Sequence, residues 1–301
     1  MSLPVIAING PTAAGKTAVA LNLARALGGE VVNADSMLVY RGMDIGTAKP
    51  TPAERVVPHH LIDIMDVTDE ASVAEFQALA RDAIADCRAR GVLPLLVGGS
   101  ALYMRAILDV FEFPGTDPEV RAKWEKRLAQ IGPEALHAEL AARHREAAKG
   151  ILPGNGRRIV RALEVIELTG DFRSVIPEPR YAVENVVQIG LEIDRPTLDA
   201  RIAARVEQMW ADGFVDEVRG LLARGLREGK TASRAIGYRQ IISFLDGEIT
   251  EAEAKEQTIT RTRQFARKQL GWFRRDARIK WFGLDRLGEI RQYVDGGMRD
   301  A

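Results

Sequence analysis

Cysteine is nearly missing from this chain. A single one, Cys87, stands among 301 residues. That excludes an internal disulfide framework and fits a reducing compartment. Cys87 lies in a helical pattern and reads as a packing residue. Long apolar runs are missing too: none reaches the roughly 18 residues that a membrane-spanning helix requires. The opening MSLPVIAING has no basic segment before its apolar residues, so no secretory signal is expected and the cytoplasm is the expected location. Histidine is scarce, and His59, His60, His137 and His144 have no metal-site spacing. They read as surface or capping residues. Net charge is absent, since 42 Lys and Arg balance 42 Asp and Glu. Taken alone, a neutral total argues against a nucleic-acid partner. The rest of the composition, 46% hydrophobic and 28% charged, excludes disorder. The length suits about two domains with a sizeable core.

The neutral total hides an asymmetry. Residues 1–112 carry 9 basic and 13 acidic side chains, a net of −4, and residues 113–301 carry 33 and 29, a net of +4. Residues 255–281 concentrate nine basic side chains (Lys255, Arg261, Arg263, Arg267, Lys268, Arg274, Arg275, Arg278, Lys280) against Glu256 and Asp276, a net of +7.

The first 112 residues alternate between strand and helix patterns. VIAI (5–8), VVNAD (31–35) and LPLLVGG (93–99) read as short buried strands, and 16–27, 72–90 and 101–108 as helices. Such alternation predicts a parallel α/β sheet. Between Pro114 and Pro179 the pattern becomes wholly helical, over 118–130, 133–147 and 155–169. VVQIGLEI (186–193) then returns to strand, and helices resume after Pro196. The expected architecture is an α/β P-loop core, residues 1–113 and 181–301, interrupted by a small all-helical insertion, residues 114–180.

Gly10-Pro11-Thr12-Ala13-Ala14-Gly15-Lys16-Thr17 fits G-x-x-x-x-G-K-[ST], with a strand before it and a helix after it. Its glycines let successive N–H groups turn inward around an anion, and the following helix adds the positive end of its dipole. Lys16 supplies a mobile charge for the terminal phosphate, and the Thr17 hydroxyl can ligate Mg²⁺. Nucleotide-hydrolysing P-loop proteins hold Mg²⁺ with a further carboxylate at a later strand end. Here that strand ends in Gly98-Gly99-Ser100. The loop therefore signals a diphosphate or triphosphate without specifying a nucleotide. Asp35 closes the second predicted strand and faces the same crevice, because ligands bind at the carboxyl ends of strands in such sheets. It reads as a general base, or else as a helix N-cap. Ser100 is a second crevice residue, a cap for the helix at Ala101, or both.

Several blocks occur together and in order: GPTAAGKT (10–17), NADSMLVYRGMDIGTAKPT (33–51), PHHLIDI (58–64), LLVGGSALY (95–103), DPEVR (117–121), RRIVRALEV (157–165), GFVDEVRGLL (213–222), RAIGYRQ (234–240) and TRQFARKQLGWFR (262–274). Together they resemble the tRNA dimethylallyltransferase family, from about residue 5 to 282. The resemblance implies transfer of a dimethylallyl group from dimethylallyl diphosphate to N6 of the adenosine at tRNA position 37, beside the anticodon, with Mg²⁺ assisting. It implies that Lys16 and the loop bind diphosphate, that Arg234 reaches the same group, and that Asp35 takes the N6 proton or orients the amine. It also implies tRNA contacts at Asp35, Ser36, Met37, Leu38, Ser100, Arg121, Arg157, Arg158, Arg161, Arg234, Gly237, Tyr238, Arg239, Arg267, Lys268, Trp272 and Arg274. Two positions depart from the family pattern. Ser100 stands where Thr is usual, keeping the hydroxyl. Arg157 stands where Gln is usual, which moves that contact from a base edge toward a phosphate. Trp272 and Phe273 read either as bases' stacking partners or as packing residues of an amphipathic helix. The flanking adenosine must leave its stack to react, and the resemblance implies that the insertion grips the anticodon stem-loop. A monomer is the expected state. A P-loop small-molecule or nucleotide kinase is the alternative, and a non-catalytic RNA-binding protein disagrees with the intact Lys16, Thr17, Asp35 and Arg234.

Overall fold

The computed structural model describes residues 2–172 and 177–299. Six parallel strands form one sheet in the order β3-β2-β4-β1-β5-β6. They are β1 (Val5–Asn9), β2 (Gly29–Asn33), β3 (His59–His60), β4 (Leu93–Gly98), β5 (Val186–Glu192) and β6 (Lys280–Gly283). The two shortest, β3 and β6, are the edge strands. Both escape a periodicity reading because neither is long enough to alternate.

Alternation along β1 divides the core into two layers. Val5 and Ala7 point into one apolar cluster with Phe76, Met104 and Tyr238; Ile6 and Ile8 point into the other with Val19, Leu23 and Ile290. Helices therefore cover both faces, as buried parallel strands require. They are α1 (Lys16–Leu27), α2 (Val73–Ala89), α3 (Ala101–Leu108), α4 (Pro118–Arg143), α5 (Arg145–Lys149), α6 (Gly156–Thr169), α7 (Arg195–Ala211), α8 (Phe214–Leu222), α9 (Tyr238–Leu245), α10 (Glu251–Phe273) and α11 (Leu287–Arg299). Local chemistry sets their ends. Gly28 stops α1 in a left-handed conformation (φ 65°), and a Thr250–Glu253 capping box opens α10.

The chain divides into two compact units, 1–110 with 180–301, and 111–179. These boundaries fall three residues and one residue before those expected from the Pro and Gly punctuation. The second unit has its own core of Trp124, Leu136, Leu140, Ile159 and Leu163. Its two long predicted helices run together as α4, broken at Gly132 (φ 79°) before Pro133. Asp117 caps α4, accepting from Glu119 and Val120 N–H at 2.8 and 3.0 Å, with Pro118 in the first turn.

In the sheet, Asn9 of β1 lies beside Gly98 of β4, and Asn33 of β2 beside Val97. Three loops therefore leave the same edge: 10–15 after β1, 34–38 after β2, and 99–100 after β4. The strand order reverses at β1, where open parallel sheets form their ligand crevice.

Candidate active site

The loop after β1 has the backbone of an anion cradle. Gly10, Ala13 and Gly15 all have positive φ, at 154°, 63° and 88°. Gly15 precedes α1 without any side-chain cap, so the first-turn amides are left for an anion. Lys16 Nζ donates to the Pro11 carbonyl at 2.8 Å, folding back over the loop. Burial lowers its pKa to about 8; the nearby Asp35 carboxylate opposes that shift and the Arg205 guanidinium adds to it. Thr17, in the first turn of α1, is exposed.

Asp35 is half-buried two residues beyond β2. No helix follows it, so the capping alternative is excluded. Its Oδ1 accepts from Met37 N–H at 3.0 Å, and its own N–H is given to Asn33 Oδ1 at 2.7 Å. This turn holds the carboxylate at the crevice beside Lys16. Ser36, Met37 and Leu38 continue the half-buried segment. Ser100 caps α3, accepting from Tyr103 N–H at 3.5 Å. Its hydroxyl proton is not used in that bond, so capping and a role at the crevice are compatible.

The rest of the NADSMLVYRGMDIGTAKPT block is scaffolding for this turn. Buried Lys49 bonds the Tyr40 carbonyl at 2.7 Å and the carboxylates of Asp44 and Asp63 at 2.6 Å each. Glu217 of α8 accepts the N–H groups of Asp44, Ile45 and Gly46. Gly46 is required there, because a Cβ would lie 2.2 Å from the Phe214 ring.

Tyr238 does not match its expected place on the RNA surface. It is fully buried and donates its hydroxyl to Glu217 at 2.6 Å. Gly237 is buried with it. Both stand behind exposed Arg234 and Arg239, which line a surface cleft with Arg227, Ser233, Asp246 and Glu248. No hydrogen bond or ion pair joins the Arg234 side chain to the P-loop among the described residues. The arginine electrostatically coupled to Lys16 is Arg205 of α7, which the sequence reading missed. Arg205 is half-buried, with burial lowering its pKa, and has no acidic partner among the described residues. A signal was available. Arg205 follows Leu198 by seven residues and Ile202 by three, on the helix face where an apolar side chain is expected.

In the helical unit, Arg157 and Arg158 are exposed. Arg121 and Arg161, expected on tRNA, are half-buried and bond the fully buried Glu164 at 3.1 and 2.9 Å. Arg161 also holds the Pro114 and Gly115 carbonyls. These two arginines clasp the entry of the unit.

Much of the basic stripe is also paired. Lys255 meets Glu207, Arg263 and Arg267 approach Asp199, Arg274 meets Glu192, and Arg278 meets Asp109 and Asp276. On α10 and just beyond it, Arg261, Lys268 and Arg275 have no acidic partner among the described residues. They share one exposed face with Phe265 and Trp272, and Arg275 sits 5.6 Å from the Trp272 ring centre. Phe273 points into the core. The stacking and packing alternatives are thus divided between the two neighbours.

Glu30, His60 and Cys87 gather toward the opposite end of the sheet, which their spacing did not foretell. Arg90 and His60 hold the Glu30 carboxylate at 2.6 to 2.8 Å, and burial first, with the Glu30 charge, raises the Cys87 thiol to about 11. In this state the three side chains form a hydrogen-bonded cluster, Cys87 lying 3.6 Å from Glu30 and 3.7 Å from His60.

Family profiles match the chain as IPP transferase over residues 38–276 and as isopentenyl transferase over residues 3–58. The tRNA dimethylallyltransferase of Salinispora arenicola is 62% identical over 286 residues, 94% of this chain and 83% of that protein. That of Kineococcus radiotolerans is 62% identical over 306 residues, covering 98% and 96%. The crystal structure of the full-length tRNA isopentenylpyrophosphate transferase from Bacillus halodurans matches with a TM-score of 0.74 at 42% identity, over 99% of this chain and 97% of its own.

Proposed function

The chain belongs to the IPP transferase family, and we propose on that footing that it transfers the dimethylallyl group of dimethylallyl diphosphate to N6 of adenosine 37 of tRNA, releasing diphosphate. The observation that carries the site assignment is the anion cradle at Gly10, Ala13 and Gly15, with Lys16 folded over it and the Asp35 turn leaving the same end of the sheet. An ordinary kinase would hold metal-bound triphosphate with a carboxylate after β4, where this chain has Gly99 and Ser100.

The chemistry follows from those charges. N6 forms a bond to the allylic carbon as the carbon–oxygen bond to diphosphate breaks. Positive charge develops on the allylic carbon, and the bonding electrons leave on the diphosphate oxygen. The loop amides, Lys16 and Arg205 stabilise that growing negative charge. Asp35, with Oδ2 outside its turn, accepts the N6 proton. Ser100 supports the acceptor side with its free hydroxyl proton. The donors beside the cradle are hard oxygens, led by the Thr17 hydroxyl, and suit Mg²⁺, which would neutralise diphosphate charge when bound. Arg157, Arg158, Arg234, Arg239 and the exposed face of α10 are the surfaces for tRNA, and the protein acts as a monomer.

Incubation with labelled dimethylallyl diphosphate and unmodified tRNA tests this directly. Label should enter tRNA without ATP; ATP-dependent phosphorylation of a small acceptor, with no label in tRNA, overturns the reading. Asp35→Ala should lower kcat by roughly 10²- to 10⁴-fold while inorganic diphosphate still binds. Near-normal turnover in that variant would remove Asp35 from the base role.

A further inference from the structure

The buried face of α10 reaches into the crevice through one side chain. Gln269 is 5% exposed. Its Oε1 accepts the Thr12 N–H of the P-loop at 2.9 Å, and its Nε2 donates to the Gly99 carbonyl at 2.7 Å. One amide thereby joins the loop after β1 to the loop after β4, across 257 and 170 residues of sequence. The approach is close: a Cβ on Gly99 would stand 2.5 Å from Gln269 Nε2 and 3.4 Å from Lys16 Nζ.

We propose that Gln269 is a positioning residue, which fixes the diphosphate cradle against the Gly99–Ser100 corner and so sets the donor's place relative to the acceptor. Two features support this. The amide uses its acceptor on one loop and its donor on the other, so its orientation is determined. Thr12 N–H is, among the described residues, the one amide of the cradle committed to a side chain, which gives the loop a defined leading edge before any anion arrives.

The inference rests on the prenyl-transfer reading, and binding measurements separate the two. Gln269→Met keeps the volume and removes both bonds. It should raise the Kd for inorganic diphosphate and the KM for the prenyl donor about tenfold, the scale of a lost buried hydrogen bond, with tRNA affinity within about twofold. Gly99→Ala strains the same joint from the other side and serves if Gln269→Met folds poorly. The double variant should lose no more than the worse single one, because both act on one contact. Additive losses, or equal losses of tRNA and diphosphate affinity, overturn the positioning role. Failure of the wild-type protein to bind diphosphate would instead overturn the functional reading beneath it.

Discussion

Lys16 shows how burial prepares a group for its ligand. Its charged form is disfavoured in the free protein, with a pKa of about 8 against the ordinary 10.5. An arriving diphosphate favours the charged form and raises that value again, so binding and protonation are linked. The sign is definite. Below about pH 8 the side chain is charged and attracts the anion; above it the neutral amine does not. From about pH 7 to about pH 9, wild-type affinity for inorganic diphosphate should therefore weaken by up to about tenfold relative to Lys16→Met, in which this limb is gone. Calorimetric titration of both proteins over that range checks it; parallel profiles would show that Lys16 does not titrate at the cradle. Lys16 was legible from its motif. Arg205 was not, because only the fold shows that its helix face meets the P-loop.

Among the elements, α10 carries the most information about the partner. The stretch from Lys255 in α10 to Lys280 is strongly basic, but the fold sorts its cations into two classes. Arg278 is held by Asp109 and Asp276, and burying both carboxylates makes that cluster structural. Lys268 and Arg275 face outward without acidic partners. Only the second class can release counterions from a phosphate backbone. Lys268→Ala or Arg275→Ala should reduce the slope of log Kd for tRNA against log salt by about 0.7 to 1 each. Arg278→Ala should leave the slope and lower the melting temperature. Filter binding over a salt series, with thermal melts alongside, distinguishes them; equal slope changes for Lys268 and Arg278 would contradict the sorting.

Across the whole chain, two cores are built separately, and the helical unit depends on one buried carboxylate. Glu164 holds Arg121, Arg161 and the Asp117 N–H. Glu164→Ala leaves two cations without their counter-charge and should cost about 3 kcal/mol of that unit's stability, while inorganic diphosphate binds the core unit as before. Calorimetric melts with and without diphosphate test this. A matching loss of diphosphate affinity would mean that the cores are not independent. The zero net charge acquires a structural meaning at the same scale. Glu192, Asp199, Glu207 and Asp109 neutralise the basic stripe from distant segments, which confines free positive charge to narrow surfaces.

Hydrophobic period, caps and the ordered motif blocks are local properties, and they were enough for the parallel α/β fold class and the family, though not for the short edge strands β3 and β6. Gly28, Asp117 and Thr250 act within a few residues of themselves, so their effects can be read from the chain. Pairing is not local. Whether an arginine meets RNA or a buried carboxylate depends on which elements the sheet brings together, as Arg278 and Asp109 do across 169 residues. The burial of Tyr238, the arginine beside Lys16 and the amide joint at Gln269 were decided in the same way. Each depends on a contact made only after the strands have taken their places.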